Sequence, residues 1–280
     1  MKPPAFDYLR CENLEQALEA LHQHGEEARI LAGGQSLIAM LNMRLLEPAV
    51  LVDINRIPEL AVHEWSGSDE KQSLIIGAAV TQTQTLAINN LKKCIPLLDM
   101  ALGHTGHVQT RNRGTVCGSL AHADPSAELP LAASVLDAQI HLASRRGKRS
   151  VAARDFFAGL LETGRSADEM AVAVEFPCTI PRVGGFAFRE TAMRHGDFAI
   201  VSIAVHVSHN HMIVGVGGGP LRPEIREWPA LEGSAIDDAL NSLAWEMEFQ
   251  DDVHATARYR RHLVRETGRA AIAEARQWLK

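Results

Sequence analysis

Two short strings in this chain carry the residue types that hold phosphate. Ala32-Gly33-Gly34-Gln35-Ser36-Leu37 follows the apolar stretch that ends at Leu31 and opens an amphipathic one. Glycines there let main chain approach a ligand closely, and the first N–H groups of a helix have no intrahelical acceptor, so the turn reads as an anion site. It reads equally as a tight strand-to-helix turn with Ser36 as the cap. Thr115-Val116-Cys117-Gly118-Ser119 repeats the composition behind Gly114, and His122, Asp124 and Glu128 follow it. Those three could meet the hydroxyls of a ribose or ribityl chain, and the two strings could clasp one diphosphate.

The elements that must position these strings follow from periodicity. Asn13 caps a helix whose Leu14, Ala17, Leu18 and Leu21 recur at helical spacing, with Gln16 at its third position and Gly25 as its stop. A strand over 28–32, the glycine turn, an amphipathic stretch over 35–46 and a β-rich run over 50–54 make a compact α/β unit. The pattern then predicts a strand over 73–80, a capped helix over 81–93, a helix over 95–103 behind Pro96, and a long polar loop over 104–125. A loop of that length inside a compact domain is functional or disordered, and its glycines and hydroxyls favour function. A helix over 129–136 and strands over 138–143 and 170–176 lead to Pro177-Cys178-Thr179-Ile180-Pro181, which reads as a domain joint. Strands over 185–189, 200–207 and 212–217, then helices near 236–248 and 253–279, complete the chain.

Composition removes several classes of function. The chain has 280 residues, 46% hydrophobic and 22% charged, enough for two domains with proper cores. No apolar run approaches the ~20 residues of a membrane span. Residues 1–7 lack the basic start and apolar core of a secretory signal, which points to the cytoplasm. The four cysteines, Cys11, Cys94, Cys117 and Cys178, show no metal or cluster spacing, and the 13 histidines form no ligand set. A net charge of −6 argues against nucleic acid. The basic C-terminal segment 254–280 reads as a solvated helix or a match to an acidic partner.

Six blocks in order then carry a resemblance over nearly the whole length: A-G-G-Q-S-L at Ala32, V-D-I at Val52, Q-T-R-N-R-G-T-V-C-G-S at Gln109, A-H-A-D-P-S-A-E-L-P at Ala121, R-H-G-D-F-A at Arg194 and A-R-Y-R-R-H-L at Ala257. The chain resembles the FAD-binding medium subunits of molybdenum hydroxylases, the group that contains aerobic carbon monoxide dehydrogenase and xanthine dehydrogenase. The resemblance implies an α+β fold in which 1–177 is a two-subdomain FAD-binding domain of the vanillyl-alcohol-oxidase (PCMH-like) type, divided at about 56, and 178–280 is a C-terminal domain with an antiparallel sheet packed by helices. It implies FAD held without a covalent link, with the molybdenum cofactor and two [2Fe-2S] clusters on partner chains. Those partners are an iron–sulfur small subunit and a molybdenum-binding large subunit, assembled as a dimer of heterotrimers, with no nucleic acid and no membrane span.

Carried over by position, Gly33, Gly34, Gln35 and Ser36 meet the diphosphate of FAD, as do Thr115, Gly118 and Ser119, and Leu31, Ala32, Leu37, Val116 and Cys117 are cofactor-binding residues of the same two loops. Glu128 stands at the family's carboxylate for a sugar hydroxyl, and His122 and Asp124 lie in the adjoining turn. Arg189 stands where some relatives carry a cofactor-contacting lysine. Phe198 falls at the residue that covers the isoalloxazine, or else serves as core of the following strand. Relatives have glycine where this chain has Cys117, whose Cβ disfavours positive φ. The thiol is either inert packing or a redox group beside a flavin.

The implied function is electron transfer: electrons arrive from the partner's clusters and leave for an outside acceptor. The alternatives are a self-sufficient FAD oxidoreductase with its own small substrate, a hydrolase and a scaffold without cofactor. Gly34-Gln35-Ser36 fails the G-x-S-x-G spacing that the hydrolase needs. The string Gly215-Val216-Gly217-Gly218-Gly219-Pro220 follows strands and ends in proline, so it reads as a turn and not as a Rossmann fingerprint.

Overall fold

The structure, a computed structural model, describes residues 2–68, 71–179, 184–219 and 221–279. The chain begins with β1 (Asp7–Arg10), α1 (Leu14–His24), β2 (Ala28–Leu31), α2 (Leu37–Met43) and β3 (Val50–Asp53). The Asn13 side chain accepts from Gln16 N at 2.9 Å, so α1 starts where the sequence predicts. The three strands form a parallel sheet in the order β1-β3-β2, with β3 fully buried at its centre.

The next strands are β4 (His63–Ser66) and β5 (Ser73–Gly77), and a run of short helices follows. These are α3 (Gln82–Leu86), α4 (Leu91–Cys94), α5 (Pro96–His104), α6 (Val108–Arg111), α7 (Val116–His122) and α8 (Glu128–Leu136). Two expectations are corrected here. The single helix over 81–93 is two, because Asn90 adopts φ +65° and breaks the ladder. The segment 104–125 is not a loop throughout: α6 and α7 occupy it, with Val116 and Leu120 buried in the core and Thr115 capping α7. Its polar composition reflects caps and exposed turns.

After α8 come β6 (Gln139–Ser144), β7 (Gly147–Ala152), α9 (Ala153–Phe156), the small pair β8 (Phe157–Gly159) and β9 (Glu162–Thr163), and β10 (Met170–Pro177). They complete an antiparallel sheet in the order β4-β5-β10-β6-β7. Of the segment read as a joint, Ile180 and Pro181 lie outside the described residues. Cys178 N donates to Gln72 O at 2.8 Å and Thr179 N to Cys94 O at 2.7 Å, so the chain is tied down as it leaves this sheet.

A third, antiparallel sheet runs β11 (Gly185–Thr191), β12 (Val201–Val207), β13 (His211–Gly217) and β14 (Glu224–Pro229), followed by α10 (Ser234–Glu246) and α11 (Ala257–Arg276). One face, with Ala187, Ile203, Val205 and Val214, packs on α10 and α11. The other, with Phe186, Phe188, Ala204 and Ile213, joins the core built around α5 and α8. Every residue of β12 is therefore buried, which explains its near-continuous apolar sequence. Of the glycine string, Gly215 to Gly217 belong to β13, Gly218 and Gly219 turn away at φ +81° and +147°, and Pro220 lies outside the described residues.

The strands that periodicity does not predict include β1, β4, β7 and β14, and each is an edge strand. They bury few side chains, so no period-2 signal exists in them. The basic segment is also largely satisfied within the chain. Arg260 is buried and donates to Gln250 O and to Asp252 Oδ2, at 2.9 and 2.7 Å, while Arg269 pairs with Asp237 and Glu266.

Gly185 pins α11 to the sheet edge, since a Cβ there would collide with the Ala275 carbonyl and sit 2.9 Å from Trp278 Cβ. Gly185→Ala should cost about 3 kcal/mol, near the top of the range for overpacked sites, because main chain must move. Urea unfolding of the two proteins checks it.

Candidate functional site

The β2–α2 turn has the geometry of an amide-rich cradle. Gly34 sits at φ +70°, where a side chain would be strained. The first helix-type bond is Ile38 N to Gly34 O at 3.0 Å, so among the described residues the amides of Gln35, Ser36 and Leu37 have no main-chain acceptor. Ser36 occupies the cap position but its hydroxyl makes no cap bond, which leaves it free for a ligand. The Gln35 carboxamide donates back to Gly33 O at 3.3 Å.

The second string is brought against the first. A Cβ on Gly33 would overlap the Arg113 carbonyl and lie 2.7 Å from Gly114 Cα, so the segments touch main chain to main chain. Behind the contact, Gln82 N donates to Gly114 O at 2.8 Å and Thr115 forms a β-bridge with Thr81. Thr115 Oγ1 accepts from Gly118 N at 2.9 Å, which spends the Gly118 amide on the cap of α7. A Cβ on Gly118 would meet that Oγ1 at 2.7 Å.

Cys117 takes the packing alternative. It lies in α7 without a positive φ, so its Cβ causes no strain. Its Sγ contacts Ile76 O at 3.6 Å, and burial pushes the thiol up to about 12. A buried, protonated thiol turned into the core is packing and not a redox group. Val116 is buried beside it.

Beyond α7 the chain carries three titratable side chains in close sequence. His122, at the end of α7, is held below the usual imidazole range by burial, against the pull of Asp124. Asp124 Oδ1 accepts from Ser126 N at 2.8 Å and shapes the turn into α8. Glu128 opens α8 and is 4% exposed. Burial, with the charge of Glu190 added, lifts it to about 7, while its own amide, Thr105 and His104 offset part of the rise. His104 Nδ1 lies 3.2 Å from Glu190 Oε1, and this partner raises the imidazole. The second carboxylate oxygen of Glu190 is buried without a hydrogen-bond partner among the described residues.

His104, Thr105 and Glu190 escaped the sequence reading, although Glu190 directly follows the candidate Arg189. Arg189 itself is tied to Glu274 of α11 at 2.8 Å. An open cavity of about 460 Å³ lies along β11, lined by His104, Phe188, Arg189, Glu190, Glu266 and Glu274 among others, and the glycine turns do not border it. Phe198 is 63% exposed in the segment before β12, which excludes the core role. That segment rests on α6: a Cβ on Gly196 would meet His107 Cε1 at 2.7 Å, and the His107 and His195 rings lie 6.2 Å apart. Asn55 was also missed, though it follows the V-D-I strand directly; its carboxamide donates to Ala32 O at 2.9 Å.

Two glycine turns in main-chain contact, one rich in free amides, on a mixed α and β frame have the make-up of a diphosphate site without a Rossmann motif. The family described as the FAD binding domain in molybdopterin dehydrogenase matches residues 4–179, and the chain belongs to it. It is 34% identical to the 6-hydroxypseudooxynicotine dehydrogenase complex subunit alpha of Paenarthrobacter nicotinovorans, over 98% of this chain and 96% of that one. Among solved structures it is similar to quinoline 2-oxidoreductase from Pseudomonas putida 86, with TM-score 0.90, 34% identity and coverage of 100% and 99% of the two chains. It is also similar to carbon monoxide dehydrogenase from Hydrogenophaga pseudoflava, with TM-score 0.91, 27% identity and coverage of 99% of both chains. No helix among the described residues is long and apolar enough to cross a membrane.

Glu128 gives a pH signature. With its pKa raised to about 7 in the folded chain, the native state holds an extra proton between the unfolded carboxyl value and 7. The folded state is thus penalised progressively as pH rises through that window, and fully above it. Glu128→Gln, measured against the unsubstituted, ligand-free chain by urea unfolding, should gain roughly 2–3 kcal/mol in relative stability between pH 5 and pH 8.

Proposed function

We propose that this chain is the FAD-carrying electron-transfer subunit of a molybdenum-containing hydroxylase, receiving electrons from iron–sulfur clusters on a partner and passing them to an external acceptor. The observation that carries the reading is the contact of Gly33 with Arg113 and Gly114, which brings two phosphate-type turns together. Full-length similarity to subunits of such complexes supports it. Bound FAD would supply the exchange between single-electron donors and a two-electron acceptor, chemistry that belongs to the cofactor.

The chain's own residues bind, orient and shield. The fit is good at the diphosphate: the Gln35, Ser36 and Leu37 amides and the Ser36 hydroxyl supply donors without a countercharge. Glu128, with Asp124 and His122 nearby, takes the sugar hydroxyls, and Phe198 covers one face of the isoalloxazine. Arg189 reaches the cofactor only by giving up Glu274. The parallel and the five-stranded sheets act as the two subdomains of a vanillyl-alcohol-oxidase type domain over 1–177, with 178–280 as the C-terminal domain. An iron–sulfur small subunit and a molybdenum-binding large subunit complete a heterotrimer, which pairs into a dimer. Four cysteines, all buried and unpaired, suit a reducing compartment such as the cytoplasm.

The chain expressed with its partner subunits should co-purify with them and hold one FAD that acid or heat releases. Flavin that stays on the precipitated protein, or full hydroxylase turnover by the isolated chain, would contradict the reading. Gly34→Val should abolish FAD binding, because the β-branched side chain resists the left-handed backbone that sets the amides. Ser36→Ala should cost only about 0.5–1.5 kcal/mol, one hydrogen bond, by fluorescence titration. In the reconstituted complex, Phe198→Ala should change reoxidation by the acceptor more than reduction by substrate. Stopped-flow measurement of the two half-reactions separates them.

A further inference from the structure

We infer that Asn55 is the positioning residue of the diphosphate turn, acting on FAD through main chain that it holds and not by touching the ligand. The inference rests on the FAD reading. The Asn55 Nδ2 group donates to Leu31 O at 3.2 Å, to Ala32 O at 2.9 Å and to Asp53 Oδ1 at 2.6 Å. Two hydrogens serve three acceptors, so the carboxamide nitrogen is spent on structure.

Its own anchor is strong. Asp53 is 8% exposed, yet its Oδ1 also accepts from Asn55 N at 2.8 Å and its Oδ2 accepts from the Tyr8 hydroxyl. Burial alone would raise this carboxyl. The Tyr8 and Asn55 donors, with the charge of Arg113, hold it below the usual carboxylate range instead. An ionised anchor thus fixes the amide that fixes the turn.

The geometry explains why the turn needs it. Beyond β2 the main chain enters Gly33 and Gly34, the two residues most free to rotate. The C=O and N–H of a planar trans peptide point in opposite directions, so holding the Ala32 carbonyl on the Asn55 side turns the Gly33 N–H to the other. Ile54 N holds Leu31 O as well, at 3.1 Å, whereas among the described residues only Asn55 holds Ala32 O. Without Asn55, ordering two glycines would be charged against ligand binding.

The test uses the full chain with its FAD removed. Asn55→Ala should bind FAD about tenfold or more weakly by fluorescence quenching, and ADP, which carries the same diphosphate, should lose a similar factor in displacement titrations. At saturation the variant's visible flavin spectrum should match the unsubstituted protein's, and the ligand-free thermal midpoint should move by only a few degrees. Equal FAD and ADP affinities overturn the inference alone. Failure of the unsubstituted chain to bind FAD overturns the flavoprotein reading and this inference with it. Should Asn55→Ala not fold, amide exchange in the unsubstituted chain decides: the Asn55 carboxamide protons should be protected with and without FAD, and free exchange in the FAD-bound chain refutes the role.

Discussion

The close approach of Gly33 to the Arg113 carbonyl and Gly114 is the contact on which the cleft depends. It joins a turn from the parallel sheet to a cap from the helical run, two segments about eighty residues apart in sequence. Any Cβ at Gly33 would separate them. Polar pairing behind the contact, through Gln82, Thr81 and Thr115, holds the second segment in place. The first is held by Asn55 and Asp53. Each of the two turns is therefore fixed by contacts outside itself, and the β2–α2 amides need no ligand to order them.

The third sheet packs on both of its faces. It is filled on one face by α10 and α11 and on the other by α5 and α8, so β12 and β13 cannot shift without disturbing both cores. That rigidity holds two contacts between the sheet and the helical run: Glu190 on β11 meets His104 at the end of α5, and the segment with Phe198 lies over the start of α6. The buried Arg260 ties α11 to the loop at Gln250 and Asp252, so a block of basic sequence is largely a structural lock.

The two regions differ in chemical character. In the β2–α2 turn, free amides offer partial positive charge with no side-chain cation in the turn itself. Around His104, Glu190 lies 3.2 Å from the imidazole, and burial with the charge of Glu190 lifts Glu128 to about 7.

The sequence by itself determined the local devices: the Asn13 cap, the glycine turn after β2, the buried strands and the order of six motif blocks. Each is written in neighbouring residues, through periodicity or through a backbone preference. It missed edge strands because they bury too little to show alternation, and it took α6 and α7 for loop because caps and turns share their composition. Only the tertiary structure decided that Cys117 points into the core, that Ser36 leaves its hydroxyl free, and that Phe198 is exposed. The same holds for Glu190, Asn55 and the Gly33 contact. Their roles depend on partners 23 to 86 residues away, and a distance in space between remote residues has no local signature in the chain.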